Sequence, residues 1–186
     1  MADETQGQGG TTTGTEPVTP ADRTDEYRGR DLHAEGVWEA GSMPRYGMVA
    51  FNPNGEVLIR EPANHFDGYV WTFYKGGRHG NEPTLQTALR ETLEETGHRP
   101  VVVGHLDEGF HGGNVGSVNF FYIGFDTDGQ VDRSAMDHET KSVAWVSVEE
   151  ARDRIALSTN QKGRDRDLRT LEAAVLAFAE LQDSTD

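Results

Sequence analysis

The stretch from Gly76 to Gly97 constrains this chain more than any other. It reads G-G-R-H-G-N-E-P-T-L-Q-T-A-L-R-E-T-L-E-E-T-G. Within it, Gly76, Glu82, Arg90, Glu91, Glu94, Glu95 and Gly97 stand in the pattern G-x5-E-x7-R-E-x-x-E-E-x-G. Leu85, Ala88, Leu89, Thr92, Leu93 and Thr96 fall at helical spacing, which predicts a helix over Pro83–Thr96. Pro83 suits its first turn and Gly97 the position just past its end. At about 100° per residue, Glu91, Glu94 and Glu95 cluster away from that stripe. The stripe is expected to pack on a core while the carboxylates face an opening.

Carboxylates spaced i, i+3 and i+4 repel one another by roughly 0.2–0.5 kcal/mol per solvated pair. A cation reverses that sign. Hard oxygen ligands select Mg2+, Mn2+ or Ca2+, and Mg2+ completes its shell with water and substrate phosphate oxygens. The pattern therefore points to a phosphorylated small molecule held beside Mg2+ or Mn2+. Three glutamates alone would read as a solvated helix face. The added Gly76, Glu82, Arg90 and Gly97 at fixed spacing argue against that. Arg90 reads as a structural clamp, its fork pairing with a loop carboxylate such as Glu82. Gly76 and Gly97 suit backbone positions where a Cβ would clash.

The chain has 186 residues, the length of one domain with one core. Residues 1–26 are rich in Gly, Thr, Gln, Asp and Glu and are expected to form a disordered acidic tail, with the folded domain over 27–186. The formal net charge is −15, which disfavours nucleic acid and anionic membranes as partners. No cysteine is present, so disulfides, zinc–thiolate sites and thiol nucleophiles are excluded. The start Met-Ala-Asp-Glu lacks the pattern of a secretory signal, and no apolar run approaches a membrane span. A cytoplasmic location is the expectation.

Tyr46–Asn52 and Glu56–Arg60 read as strands joined by the turn Asn52-Pro53-Asn54-Gly55. Further strands are expected at Tyr69–Phe73, Pro100–Phe110, Val118–Asp126 and Val143–Val148. Loops are expected at Lys75–Asn81, His111–Asn114 and Asp126–Gln130, and helices at Ser147–Ile155 and Asp165–Leu181. Strands on both sides of a central helix indicate an α/β domain with a mixed sheet covered by helices.

The Gly76–Gly97 stretch resembles the signature of Nudix hydrolases, G-x5-E-x7-R-E-U-x-E-E-x-G-U, where U is a bulky aliphatic residue. The resemblance implies an α/β/α sandwich around a central mixed sheet. It also implies metal-dependent attack of water on a diphosphate linkage in substrates of the type nucleoside diphosphate linked to a moiety X. By that resemblance Glu91, Glu94 and Glu95 are metal ligands, with the Gly76 carbonyl as a further one. Thr92 and His98 depart from the aliphatic positions, where lower stability or local repacking is expected rather than lost chemistry. In Trp71-Thr72-Phe73-Tyr74-Lys75-Gly76, Tyr74 stands where many relatives have proline.

Asp137-His138-Glu139 precedes Val143-Ala144-Trp145-Val146 and resembles an arrangement that supplies one more carboxylate. Glu139 is therefore the candidate extra ligand or general base, with Glu108 as runner-up. Glu91 and Glu95 are its candidate catalytic partners. Lys75, Arg78, Lys162, Arg164 and Arg166 are candidates for substrate phosphates, with Lys75, Arg78 and Arg164 carried forward. Phe66, Tyr69, Trp71, Phe120 and Tyr122 could stack a base or fill the core. The expected substrate is a dinucleoside polyphosphate or a nucleoside triphosphate. A sensor of the same fold that binds nucleotide without hydrolysis is the alternative, and the full glutamate set argues against it. Isopentenyl diphosphate isomerase, which shares the fold, resembles a chemistry that needs a cysteine. Homodimers are common in that family, and no interface is legible in this sequence.

Overall fold

A computed structural model describes residues 18–32, 43–112 and 116–184. Its first element is a short helix, α1 (Thr24–Tyr27). Strands β1 (Met43–Phe51) and β2 (Val57–Pro62) follow, then a 3-10 segment, Ala63–Gly68. Next come β3 (Lys75–Gly76), α2 (Thr84–Thr96), β4 (Val101–His105), β5 (Phe110–His111) and β6 (Ser117–Phe125). The chain closes with β7 (Thr140–Val146), α3 (Val148–Ala156) and α4 (Gln161–Asp183).

The β1–β2 hairpin forms because its turn satisfies its own backbone. Asn52 Oδ1 accepts the N–H groups of Asn54 and Glu56, each at 3.0 Å. Gly55 supplies the left-handed φ of 72° that the turn needs. The sheet runs β4-β6-β1-β2-β7. β1 and β6 are parallel over nine register pairs, from Met43↔Ser117 to Phe51↔Phe125, and the other pairings are antiparallel. This is the expected mixed sheet.

One irregularity makes room for the site. β1 meets β2 only at Phe51↔Val57, next to their turn. Further back, at Tyr46 and Gly47, β1 pairs with β3 instead. Gly47 allows this: a Cβ there would run into the Tyr74 carbonyl and the Lys75 side chain. Lys75 and Gly76 are thereby set against the middle of the sheet.

Alternation along β1 sorts the two cores. Val49 and Phe51 join α3 and α4 through Ile155, Leu171, Ala174 and Phe178. Met48 and Ala50 join α2 and α1 through Leu85, Ala88 and Tyr27. Helices thus cover both faces, an α/β/α sandwich. Phe178 stacks on Phe51 with ring centroids 4.3 Å apart, and its burial stabilises by about 2 kcal/mol.

Three expectations need correction. Tyr69–Phe73 is not a strand; only Thr72 pairs, through an isolated bridge to Arg60. The Pro100–Phe110 strand is two short strands, β4 and β5, separated by Leu106–Gly109; a register shift against β6 between Val102 and Gly104 falls within β4. Of the expected tail, residues 1–17 lie outside the described residues, but Arg23 and Thr24 are bonded to the sheet. The Arg23 N–H reaches the Val102 carbonyl at 2.7 Å, and Thr24 Oγ1 accepts the Val102 N–H. Part of the His111–Asn114 loop, at Gly113 and Asn114, also lies outside the described residues. Among the described residues, no helix is long and apolar enough to cross a membrane.

Candidate active site

Helix α2 begins after Pro83 and ends at Gly97, whose φ of 74° closes it in the left-handed region. Its buried face contains more threonine than an aliphatic stripe would. Thr92 Oγ1 donates to the Ala88 carbonyl at 2.6 Å and Thr96 Oγ1 to the Thr92 carbonyl at 2.5 Å, so neither hydroxyl is left unpaired. His98, at the second departing position, is buried. Its Nδ1 lies 2.7 Å from Asp126 Oδ2, and its ring meets Trp145 edge-on. Burial works against the Asp126 carboxylate, but bonds from His98 and the Gly129 N–H outweigh it and hold the group below its usual range.

Arg90 organises the acidic face. Its Nε and Nη2 donate to the Glu82 carboxylate at 3.0–3.3 Å, and Nη2 donates to the Gly77 carbonyl at 2.8 Å. Nη1 reaches Glu91 at 2.7 Å and Glu94 at 2.9 Å. One guanidinium thus ties the loop at Gly77 and Glu82 to two helix carboxylates. Arg90 is the main reason the Glu82 carboxyl is pulled down to about 2. Gly76 sits against Glu91, and a Cβ there would fall 2.1 Å from the Glu91 carboxyl carbon. The missing side chain is a cradle for that carboxylate. Burial raises the Glu91 carboxyl above its usual range, opposed by Arg90.

Glu95 points elsewhere. It is 3% exposed. Its Oε1 pairs with Arg60 Nη2 at 2.6 Å, and its Oε2 accepts the Lys75 N–H at 2.9 Å. Burial pushes its carboxyl up, against the pull of Arg60 and Lys75. Burial likewise pushes the Lys75 ammonium down. Lys75 Nζ donates to the Phe73 carbonyl at 3.0 Å. Behind it, buried Asp167 accepts from Thr72 Oγ1 at 2.6 Å and from Arg166 Nε at 2.8 Å.

Glu95, Lys75, Arg60 and Arg166 line one cavity of about 420 Å³, together with Arg45, Asn119, Tyr69, Phe66 and Glu139. Such a volume suits a small-molecule ligand. Glu139 is exposed at its edge; its backbone carbonyl accepts the Ala63 N–H, and the Asp137 N–H ties the same loop to the Glu94 carbonyl.

The structure therefore brings together Glu91, Glu94 and Gly76 around Arg90, and Glu95, Lys75 and Glu139 around the cavity. Arg78 lies apart, its Nε on the Glu82 carbonyl and its Nη2 on Asp31. Arg164 also lies apart, 3.4 Å from Asp165. Glu108 is exposed in a separate groove between β4 and α4. Phe120 and Tyr122 are core residues, and Trp71 is covered by the Arg154 guanidinium. Arg45 and Arg60 carry no motif, and Arg166 had no more weight than its neighbours. One signal was available: Arg45 stands on the β1 face that farther along carries Val49 and Phe51, a charge where the apolar alternation should continue.

Among the described residues no three acidic or imidazole groups converge as a metal cluster; Arg90 pairs with Glu91 and Glu94, and Arg60 with Glu95. The carboxylate oxygens of Glu91 and Glu94, with the Gly76 cradle beside Glu91, are donors of the kind that suits a hard cation.

The family model for the NUDIX domain matches residues 41–168, and the chain belongs to the Nudix hydrolases. A binary complex of a C. elegans Ap4A hydrolase is similar at 17% identity and a TM-score of 0.55, over 75% of this chain and 98% of that one. The NUDIX domain of Shewanella oneidensis NrtR, complexed with ADP ribose, is 20% identical with a TM-score of 0.57, over 83% and 97%. A NUDIX hydrolase from Nitrosomonas europaea is 21% identical with a TM-score of 0.57, over 72% of each chain. Among curated protein sequences there is no match.

Proposed function

We propose that this chain is a metal-dependent pyrophosphohydrolase that cleaves a diphosphate linkage in a nucleoside diphosphate-X substrate, with dinucleoside polyphosphates and nucleoside triphosphates as the first candidates. The observation that carries this reading is the shared cavity, which joins Glu95 of the acidic helix to four cationic side chains, Arg45, Arg60, Lys75 and Arg166. On a chain of net charge −15, such a concentration of positive charge marks a place for an anion. Arg45 makes no ion pair or side-chain hydrogen bond among the described residues, so its charge is available to a phosphate.

In this reading Glu91, Glu94, Glu95 and the Gly76 carbonyl hold Mg2+ or Mn2+. When bound, such a cation would supply charge stabilisation at the phosphate oxygens and a lowered pKa for a water. Arg90 fixes the spacing of Glu91 and Glu94, and Glu82 fixes Arg90. Arg45, Arg60, Lys75 and Arg166 orient the polyphosphate. Glu139, exposed at the cavity edge, takes the proton of the attacking water. A second reading, a nucleotide sensor without hydrolysis, draws on one observation: both oxygens of Glu95 are already engaged, by Arg60 and the Lys75 N–H.

Product release would be followed across dNTPs, diadenosine polyphosphates, ADP-ribose and nucleotide sugars with Mg2+ or Mn2+. Cleavage of one class, abolished by EDTA and by Glu94→Gln in a folded variant, is the expected result. Binding without any turnover would establish the sensor instead.

A further inference from the structure

Buried polar atoms in folded proteins almost always have a partner, and the exceptions ask for a reason. Among the described residues three buried side-chain atoms have none: Arg60 Nε, Asn119 Oδ1 and Arg166 Nη2. All three residues line the active-site cavity. The two guanidinium groups are partly compensated, since Arg60 pairs with Glu95 and Arg166 Nη2 lies 2.7 Å from Asp167 without hydrogen-bonding alignment. Asn119 is different. It is fully buried, and its Nδ2 donates to the Phe110 carbonyl at 2.8 Å. That bond decides which end of the amide is which, leaving Oδ1 as an acceptor only. Oδ1 is closed off in the wall of the cavity, and the donor it lacks is one that an ionised phosphate oxygen does not supply.

A second observation concerns the ring that could face such a ligand. The 3-10 segment carries three non-glycine residues at positive φ: Asn64 at 55°, His65 at 49° and Asp67 at 55°. Each is a strained conformation, and strain of this kind persists only where other contacts hold it. Asn160 Nδ2 donates to both the carbonyl and the carboxylate of Asp67 at 3.1 Å, and His65 pairs with Glu61 at 2.9 Å. The result is Phe66 held 74% exposed while lining the same cavity. Tyr69 cannot substitute for it, because Lys75 and Arg166 already lie over its ring.

We propose that Asn119 and Phe66 select the uncharged half of the substrate: a flat heteroaromatic ring that stacks on Phe66 and donates an N–H to Asn119 Oδ1. Resting on the hydrolase reading, this makes the substrate a nucleotide whose base carries the decisive donor.

The test uses calorimetric affinities of the full chain, with and without Mg2+, for nucleoside diphosphates paired to differ by one donor. The pairs are adenosine and purine riboside, guanosine and inosine, and cytidine and its analogue lacking the 4-amino group, with 2′-deoxy forms alongside. In one pair the donor-bearing member should bind about tenfold tighter or better. Asn119→Leu should erase that preference, and Phe66→Ala, a surface change that leaves folding intact, should weaken both members alike. A wild-type protein indifferent to every pair, as a trapped water on Oδ1 would produce, overturns the proposal. So does discrimination that follows the 2′-hydroxyl, or binding to no pair. Failure of the hydrolase reading looks different: base discrimination would persist without turnover of any nucleotide.

Discussion

Replacing Gly76 with alanine probes the acidic helix with a single methyl group. The backbone at Gly76 is in a region open to any residue, so the change itself strains nothing there. Its Cβ would lie 2.1 Å from the Glu91 carboxyl carbon, whereas ordinary contact begins at 3.4 Å. The carboxylate must retreat by about 1.3 Å, beyond the roughly 0.5 Å tolerance of a preorganised site. Because Glu91 meets this position with the end of a flexible side chain, the fold can absorb the shift. Stability should change by less than about 1 kcal/mol, the loss of one Arg90–Glu91 contact being offset by reduced freedom of the unfolded chain. Turnover should fall about 100-fold, the usual consequence of a 1 Å misplacement in a catalytic constellation. Thermal unfolding and metal-dependent substrate cleavage, measured on the same preparation, separate the two effects. Turnover within threefold of the parent would refute the cradle, and so would a collapse of the fold.

Three further outcomes follow from the same contacts. Glu82 is held down to about 2 by Arg90, so its stabilisation is full above about 4.5 and disappears as pH falls toward 2. Glu82→Gln should cost about 1–2 kcal/mol at neutral pH, after allowance for screening at the loop, and flatten the acid limb of a urea-denaturation series. Arg60→Met should cost about 3 kcal/mol by leaving buried Glu95 with only Lys75 nearby. Since burial already raises the Glu95 carboxyl, its ionisation opposes folding, and the Arg60→Met deficit should be larger at pH 8 than at pH 5; an unchanging deficit would show that Arg60 does not compensate Glu95. Gly47→Ala should lower stability by about 2–3 kcal/mol, because the Tyr74 carbonyl it meets is backbone and cannot step aside; unchanged thermal stability would contradict the close β1–β3 approach.

The residues from Gly76 to Gly97 were legible because their information is local. Helical spacing places Glu91, Glu94 and Glu95 on one side, and Arg90 reaches Glu82 across eight positions of chain. The Asn52–Gly55 turn was legible for the same reason, since Asn52 satisfies backbone groups two and four residues away. Repacking at Thr92 and His98 could be expected, but not that Asp126 would be the partner of His98. Tyr69–Phe73 was misread because its aromatic and β-branched content is strand-like, while β3 takes the place beside β1 and leaves Thr72 a single bridge.

The composition of the cavity was decided by tertiary structure alone. Arg45, Arg60, Asn119 and Arg166 come from β1, β2, β6 and α4, and no periodicity links them. Arg45 and Asn119 become neighbours only through the parallel register of β1 and β6, which a sequence cannot state. Lys75 was expected at a phosphate and does line the cavity, whereas Arg78 and Arg164 are drawn to Glu82, Asp31 and Asp165 instead. A basic side chain goes to whichever acceptor the fold brings within reach. Sequence determined the acidic helix because a helix is a local repeat of about 3.6 residues. Only the folded sheet decided which distant charges, and which unpartnered amide, that helix would face.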